Sequence, residues 1–218
     1  MATATLSPHS HASRLASTST TVSATGVICF AVLVIVLHFL RPELSPLSEP
    51  TSAYAVGSYS FLMTAAFFSM SVACFALVIA LYQRRAHSAK ARMGLVFLGL
   101  WAAGVLVAMV FPMDPNGAPS TISGTIHQTA GPLTFLCLSV GMILVSWAWQ
   151  DGRSGSSSRA AITLSLVMLA AFVATFVSFI TDLGTAGIAQ RIALATAVTW
   201  ILVSSMSFRS LSSEPVSA

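Results

Sequence analysis

Charge is what this sequence has least of. Only 7% of its 218 residues are Asp, Glu, Lys or Arg, where a soluble domain of this size carries about 25%. So low a share excludes an ordinary water-facing surface. Cysteine is scarce too: the three, Cys29, Cys74 and Cys137, fall inside apolar runs with no CxxC spacing. That excludes a disulfide scaffold and a cysteine-rich zinc module, and leaves the thiols as small buried hydrophobes. No G-x-S-x-G, H-E-x-x-H, P-loop or dinucleotide fingerprint occurs.

What is present is apolar. Hydrophobic residues make up 56% of the chain, and the mean hydropathy is +0.85. In hydrocarbon a backbone must satisfy its own polar groups, as helices or as a closed barrel. Barrel strands alternate apolar and polar residues; these runs are apolar all round over helix-spanning lengths. The sequence therefore predicts an all-α, polytopic membrane protein, a bundle of six transmembrane helices at about 24–40, 59–83, 93–112, 124–149, 160–181 and 188–207. No internal repeat or second domain is evident.

Residues 1–23 are rich in Ser, Thr and Ala and read as an unstructured cytoplasmic tail, as do residues 209–218. The first apolar run lacks a small-residue cleavage site, and His38-Phe39-Leu40-Arg41 follows directly. It reads as a retained signal-anchor helix. The loop after it carries Pro42, Pro46 and Pro50, which end the helix and predict extended chain.

The net charge of +4 does not form a nucleic-acid patch, and no nucleic-acid partner is expected. The cations sit in short loops instead. With the N-terminus inside, Arg14, Arg84, Arg85, Lys90, Arg92, Arg153, Arg159 and Arg209 are cytoplasmic, against Arg41 and Arg191 outside. The positive-inside bias predicts both termini in the cytoplasm of a plasma-membrane protein.

Small residues at helical spacing suggest packing faces. They are Ala65, Ser69, Ala73, Ala76 and Ala80 on the second span, and Gly104 and Ala108 on the third. The fourth has His127, Gly131, Thr134 and Gly141. The fifth has Ala170, Ala174, Ser178 and Asp182, and the sixth Arg191, Ala195 and Thr199. If the fifth-span row faces the bundle, so does the carboxylate at its end.

On this topology the ionisable residues at the outer span ends converge. His38 and Arg41 close the first span, Asp114 follows the third, and His127 lies about a turn into the fourth. Asp182 ends the fifth, and Gln190 and Arg191 open the sixth. Polar groups at membrane depth are costly and tend to pair inside a bundle, so they form a candidate ligand-binding site. The plain alternatives are snorkelling for the arginines, a turn for Asp114 and an Asp182–Arg191 strut.

Three chemistries suit such a cluster. The histidines with Asp114 or Asp182 would hold a divalent metal, the basis of a metal-assisted hydrolase or transferase. Two histidines would ligate a haem, although both lie near the surface. Arg41 and Arg191 would clamp the anionic head of a small or amphipathic ligand. The binding reading is preferred, with membrane lipids as partners and no cofactor required. A purely structural role is the third reading.

At His38-Phe39-Leu40-Arg41-Pro42, Tyr54-Ala55-Val56-Gly57, Leu62–Phe67, Phe111-Pro112-Met113-Asp114, Gly124-Thr125-Ile126-His127 and Gln190-Arg191, the chain resembles the domain of unknown function 998 family. The resemblance covers roughly Val27 to Ser205. It implies a six-helix bundle in a prokaryotic plasma membrane and no established activity.

Overall fold

The structure is a computed structural model that describes residues 8–85, 88–150 and 156–209. Six helices follow one another: α1 (Pro8–Leu40), α2 (Ser60–Arg85), α3 (Ala89–Val110), α4 (Ile122–Gln150), α5 (Ser156–Thr181) and α6 (Ala186–Arg209). No strand occurs among the described residues. All six helices are long and apolar enough to cross a membrane, and no more than 44% of any span is buried inside the bundle. The outward surface is therefore apolar, with Phe39, Phe61, Val96, Ile122 and Leu166 all exposed. That surface needs a lipid solvent.

Each helix packs on its neighbours in sequence, and α1 closes the ring on α6. Trp101 and Trp200 are among the largest fully buried side chains of the core. Most polar side chains described inside it are hydrogen-bonded, Ser204 Oγ being buried without a protein partner. Trp200 Nε1 donates to Ser146 Oγ at 3.0 Å, and Ser146 shares a 3.0 Å bond with Ser165, so α4, α5 and α6 are tied at one level. Cys74 is buried and donates to the Leu98 carbonyl at 3.4 Å. Cys29 is exposed and Cys137 half-buried, all three as free thiols.

Two expectations are corrected. The first helix begins at Pro8, so residues 8–23 are helical where composition suggests an unstructured tail. Hydroxyls there bond back to carbonyls one turn earlier, as Thr20 does to Ser17 at 2.8 Å. Ala16, Thr20 and Ser23 are buried, and Ser23 accepts from Ser205 of α6 at 3.3 Å. Residues 1–7 and 210–218 of the expected tails lie outside the described residues.

The second correction concerns the fifth and sixth spans. Ala170, Ala174 and Asp182 are exposed, and the buried row of α5 is Ala161, Ser165, Met168, Ala171, Thr175 and Ser178. On α6, Ala195 and Thr199 are exposed while Ala189, Ala193, Ala197 and Trp200 are buried. A helix turns every 3.6 residues, so an every-fourth-residue row drifts about 40° per step and leaves its face within three steps. On α2 the row holds in part, with Ala73, Ala76 and Ala80 buried but Ala65 exposed.

Three loops meet at one end of the bundle. The first runs from Arg41 to Tyr59 and contains a short 3-10 helix, Thr51–Ala55. The second, 111–121, starts where Phe111 precedes Pro112, whose ring disfavours further helix. The third, 182–185, joins α5 to α6. Asn116 donates to Glu49 at 2.9 Å, and Ile188 N–H, one of the free donors opening α6, bonds to the Leu47 carbonyl at 2.9 Å.

Candidate functional site

Arg191 is the centre of the joined loops. Gly187, one turn before it on α6, lies so close to the first loop that a Cβ would sit 2.5 Å from the Glu49 carbonyl and 2.8 Å from that of Pro46. That approach brings both carbonyls within reach of Arg191. Nη1 donates to Glu49 O at 2.6 Å, Pro46 O at 3.0 Å and Gly187 O at 3.1 Å. Nη2 donates to the Tyr54 hydroxyl at 3.3 Å, and Nε donates to His38 Nε2 at 2.8 Å. The His38 ring also packs on Tyr54, with centroids 5.3 Å apart. These hydrogen bonds go to carbonyls, a phenol and an imidazole, not to a carboxylate. Arg191 ties α1, the first loop and α6 together.

Arg41 fixes the far end of the same loop. Its Nη1 donates to Val56 O at 2.7 Å and Ser58 O at 2.8 Å, while Nε pairs with Glu43. That pairing holds the Glu43 carboxyl below the usual carboxylate range. The two arginines expected to clamp an anionic ligand both clamp backbone.

Asp114 sits over the start of α4. It accepts from Thr121 Oγ1 at 2.6 Å and Thr121 N at 2.9 Å, and these bonds hold its pKa below the ordinary value. Thr121 in turn caps the helix, accepting from Gly124 N at 3.1 Å. Gly124 is required here because a Cβ would overlap the Asp114 carboxylate. Asp182 stands apart. It is exposed with φ +52, and the Leu183 N–H bonds back to Ser178 O at 3.2 Å, the usual left-handed stop of a helix.

The remaining two predicted residues, His127 and Gln190, meet in the wall of a cavity of about 340 Å³ between α4, α5, α6 and the first loop. Its far wall is aromatic: Phe135 stacks parallel to Phe172 with centroids 6.5 Å apart, and Phe176 and Phe179 continue the wall along α5. Gln128, Phe176 and Phe179 are exposed, so the cavity reaches the surface between α4 and α5, within the spanning segments. Gly131 forms part of the floor, with open space where a Cβ would stand. Pro132 follows it and lacks the N–H that would bond the Gln128 carbonyl one turn earlier.

A smaller chamber of about 80 Å³ adjoins it, sharing Ser52, His127, Gly131, Phe135 and Gln190 as walls. Here lies Thr51, 2% exposed, whose hydroxyl is buried without a hydrogen-bond partner. His127 Nδ1 bonds to the Phe111 carbonyl at 2.8 Å and so carries the proton, which leaves Nε2 as an acceptor. Gln190 Oε1 accepts from Thr51 N at 2.6 Å, leaving its amide N–H groups as donors. Among the described residues, no charged side chain lines either chamber.

The predicted seven residues thus separate into loop-holding groups (His38, Arg41, Asp114, Arg191), a cavity pair (His127, Gln190) and an exposed stop (Asp182). The histidines and carboxylates expected to share a metal are not brought together among the described residues. His38 has both ring nitrogens engaged, Nδ1 with the Val34 carbonyl at 2.6 Å, and no three His, Cys, Asp or Glu side chains gather among the described residues. The sequence reading missed Thr51, Ser52 and the aromatic wall. The Gly131-Pro132 pair inside an apolar span was the available signal for them.

The family described as Protein of unknown function (DUF998) matches residues 23–207. The chain belongs to that family, as its motifs suggested. No curated protein and no solved structure matches it.

Proposed function

We propose that this DUF998 protein binds an amphipathic, lipid-like ligand in the cavity between α4, α5 and α6. One observation carries the reading: a cavity of about 340 Å³, apolar and aromatic over most of its wall, opens sideways between two spans and ends on His127 and Gln190. Its size falls in the range of small-molecule pockets, about 300–1,000 Å³. A sideways mouth gives a membrane-dissolved molecule entry without crossing water. Anionic selection by Arg41 and Arg191 finds no support, because both guanidinium groups are bonded to the first loop.

The cation count supports an orientation with the cavity toward the outer leaflet of a plasma membrane. By sequence order, eight of the ten Lys and Arg residues fall in the terminal segments or in and beside the connections after the second and fourth spans. The clamped loop then lies outside, covering the cavity from the aqueous phase.

Native mass spectrometry of the detergent-purified protein tests the binding. The expected result is a stoichiometric lipid-sized adduct on the wild type. Gly131→Leu, which projects a side chain into the open floor, loses it while keeping its helical circular dichroism. An adduct of equal occupancy in both proteins would contradict the proposal.

A further inference from the structure

We infer that the ligand's head group is uncharged and hydrogen-bonding, and that it seats in the inner chamber between Thr51, His127 and Gln190. The inference rests on the binding reading above and names the ligand class. Its starting point is Thr51. A buried hydroxyl with no partner is costly, and native structures leave few such groups without a reason. Thr51 lines a chamber of about 80 Å³, several times the roughly 15 Å³ that one water needs.

The neighbouring groups are held for recognition by bonds elsewhere. Phe111 O fixes the proton of His127 on Nδ1, so Nε2 is an acceptor. Thr51 N fixes the Gln190 side chain by its Oε1, so the amide nitrogen is a donor. With the Thr51 hydroxyl, which does both, the chamber presents an acceptor, a donor and an ambivalent group. A primary alcohol or a neutral amide satisfies that set. A carboxylate, phosphate or ammonium would be stripped of water with no counter-charge beside it. The tail then lies in the outer cavity along Phe135, Phe172 and Phe176 and leaves toward lipid between α4 and α5.

Thr51→Val separates this role from a structural one. It removes a hydroxyl that no protein group bonds, so its own melting temperature changes little, while head-group binding is lost. The test follows the saturable rise in melting temperature of the purified protein, in mild detergent near neutral pH, with cetyl alcohol, palmitate or cetyl phosphate. The expected result is that cetyl alcohol acts at concentrations about tenfold below either anion. Thr51→Val loses about tenfold in cetyl alcohol potency, and Thr51→Ser, which keeps the hydroxyl, retains it. Should Thr51→Val fail to fold, the ranking of the three probes on the wild type decides. If the anions act as well as the alcohol, and Gly131→Leu abolishes all three responses, the neutral-head inference is overturned and cavity binding stands. If no probe acts, or Gly131→Leu changes nothing, the binding reading itself falls and this inference with it.

Discussion

Arg191 Nε donates to His38 Nε2 across 2.8 Å. A guanidinium has no acceptor, so the imidazole presents a bare Nε2 and keeps its proton on Nδ1, where the Val34 carbonyl receives it at 2.6 Å. One neutral histidine thus links the last turn of α1 to the first loop's anchor on α6. His38 and Arg191, two members of the expected ligand-binding cluster, serve as a strut.

Replacing Arg191 should therefore cost stability. Arg191→Ala leaves the Pro46 and Glu49 carbonyls and His38 without their donor, a loss on the order of 3 kcal/mol. Arg191→Lys recovers little of it, because one ammonium cannot reproduce the fork that spans these partners. Thermal unfolding in detergent measures both, and a lysine variant as stable as wild type would contradict the clamp.

Asp114 sets an acid limit. Its folded pKa is lowered by the Thr121 hydrogen bonds. The stability it contributes is therefore present above the unfolded value of about 3.9 and lost as the pH falls through the folded value. Melting temperature followed downward from pH 5 should drop below about pH 4. Asp114→Asn should start lower and fall less steeply, with Glu43, also lowered, supplying the remainder. Identical slopes in the two proteins would rule out this role.

Asp182 is predicted to be dispensable. At φ +52 it occupies the left-handed position where glycine costs least, so Asp182→Gly should stabilise by about 0.5–1 kcal/mol. It should also leave the lipid adduct in place. Loss of the adduct would return the carboxylate to the site.

Orientation has its own check. Cysteines placed at Ser48 and Ser157 should react oppositely with a membrane-impermeant maleimide in intact cells, Ser48 labelled and Ser157 protected. The three native cysteines lie within spans. Labelling at Ser157 would reverse the proposed topology.

The number of spans and the end where the polar residues gather were legible because both follow from composition and spacing. Their roles were not. An arginine at a span border looks the same whether it meets lipid head groups, a ligand or a loop. Here the answer depends on where the Pro46 and Glu49 carbonyls lie, in a proline-rich loop without periodicity. Asp182 does not face the bundle for a simpler reason: the row leading to it is exposed at Ala170 and Ala174 and meets the buried face of α5 only at Ser178. The cavity was the least legible part, because its wall combines Phe135 of α4 with Phe172 and Phe176 of α5, and nothing local marks side chains that meet only after packing. Gly131 and Pro132 alone signalled an irregularity there.

Photo-crosslinking with a diazirine-bearing alkyl alcohol, followed by peptide mapping, tests the binding cavity most directly. The account predicts adducts concentrated on α4 around Gln128–Phe135 and on α5 around Phe172–Phe179, competed by excess cetyl alcohol and absent in Gly131→Leu. Adducts spread evenly over the exposed apolar faces of all six helices, indifferent to competitor and to Gly131→Leu, would show a protein that meets lipid only as solvent.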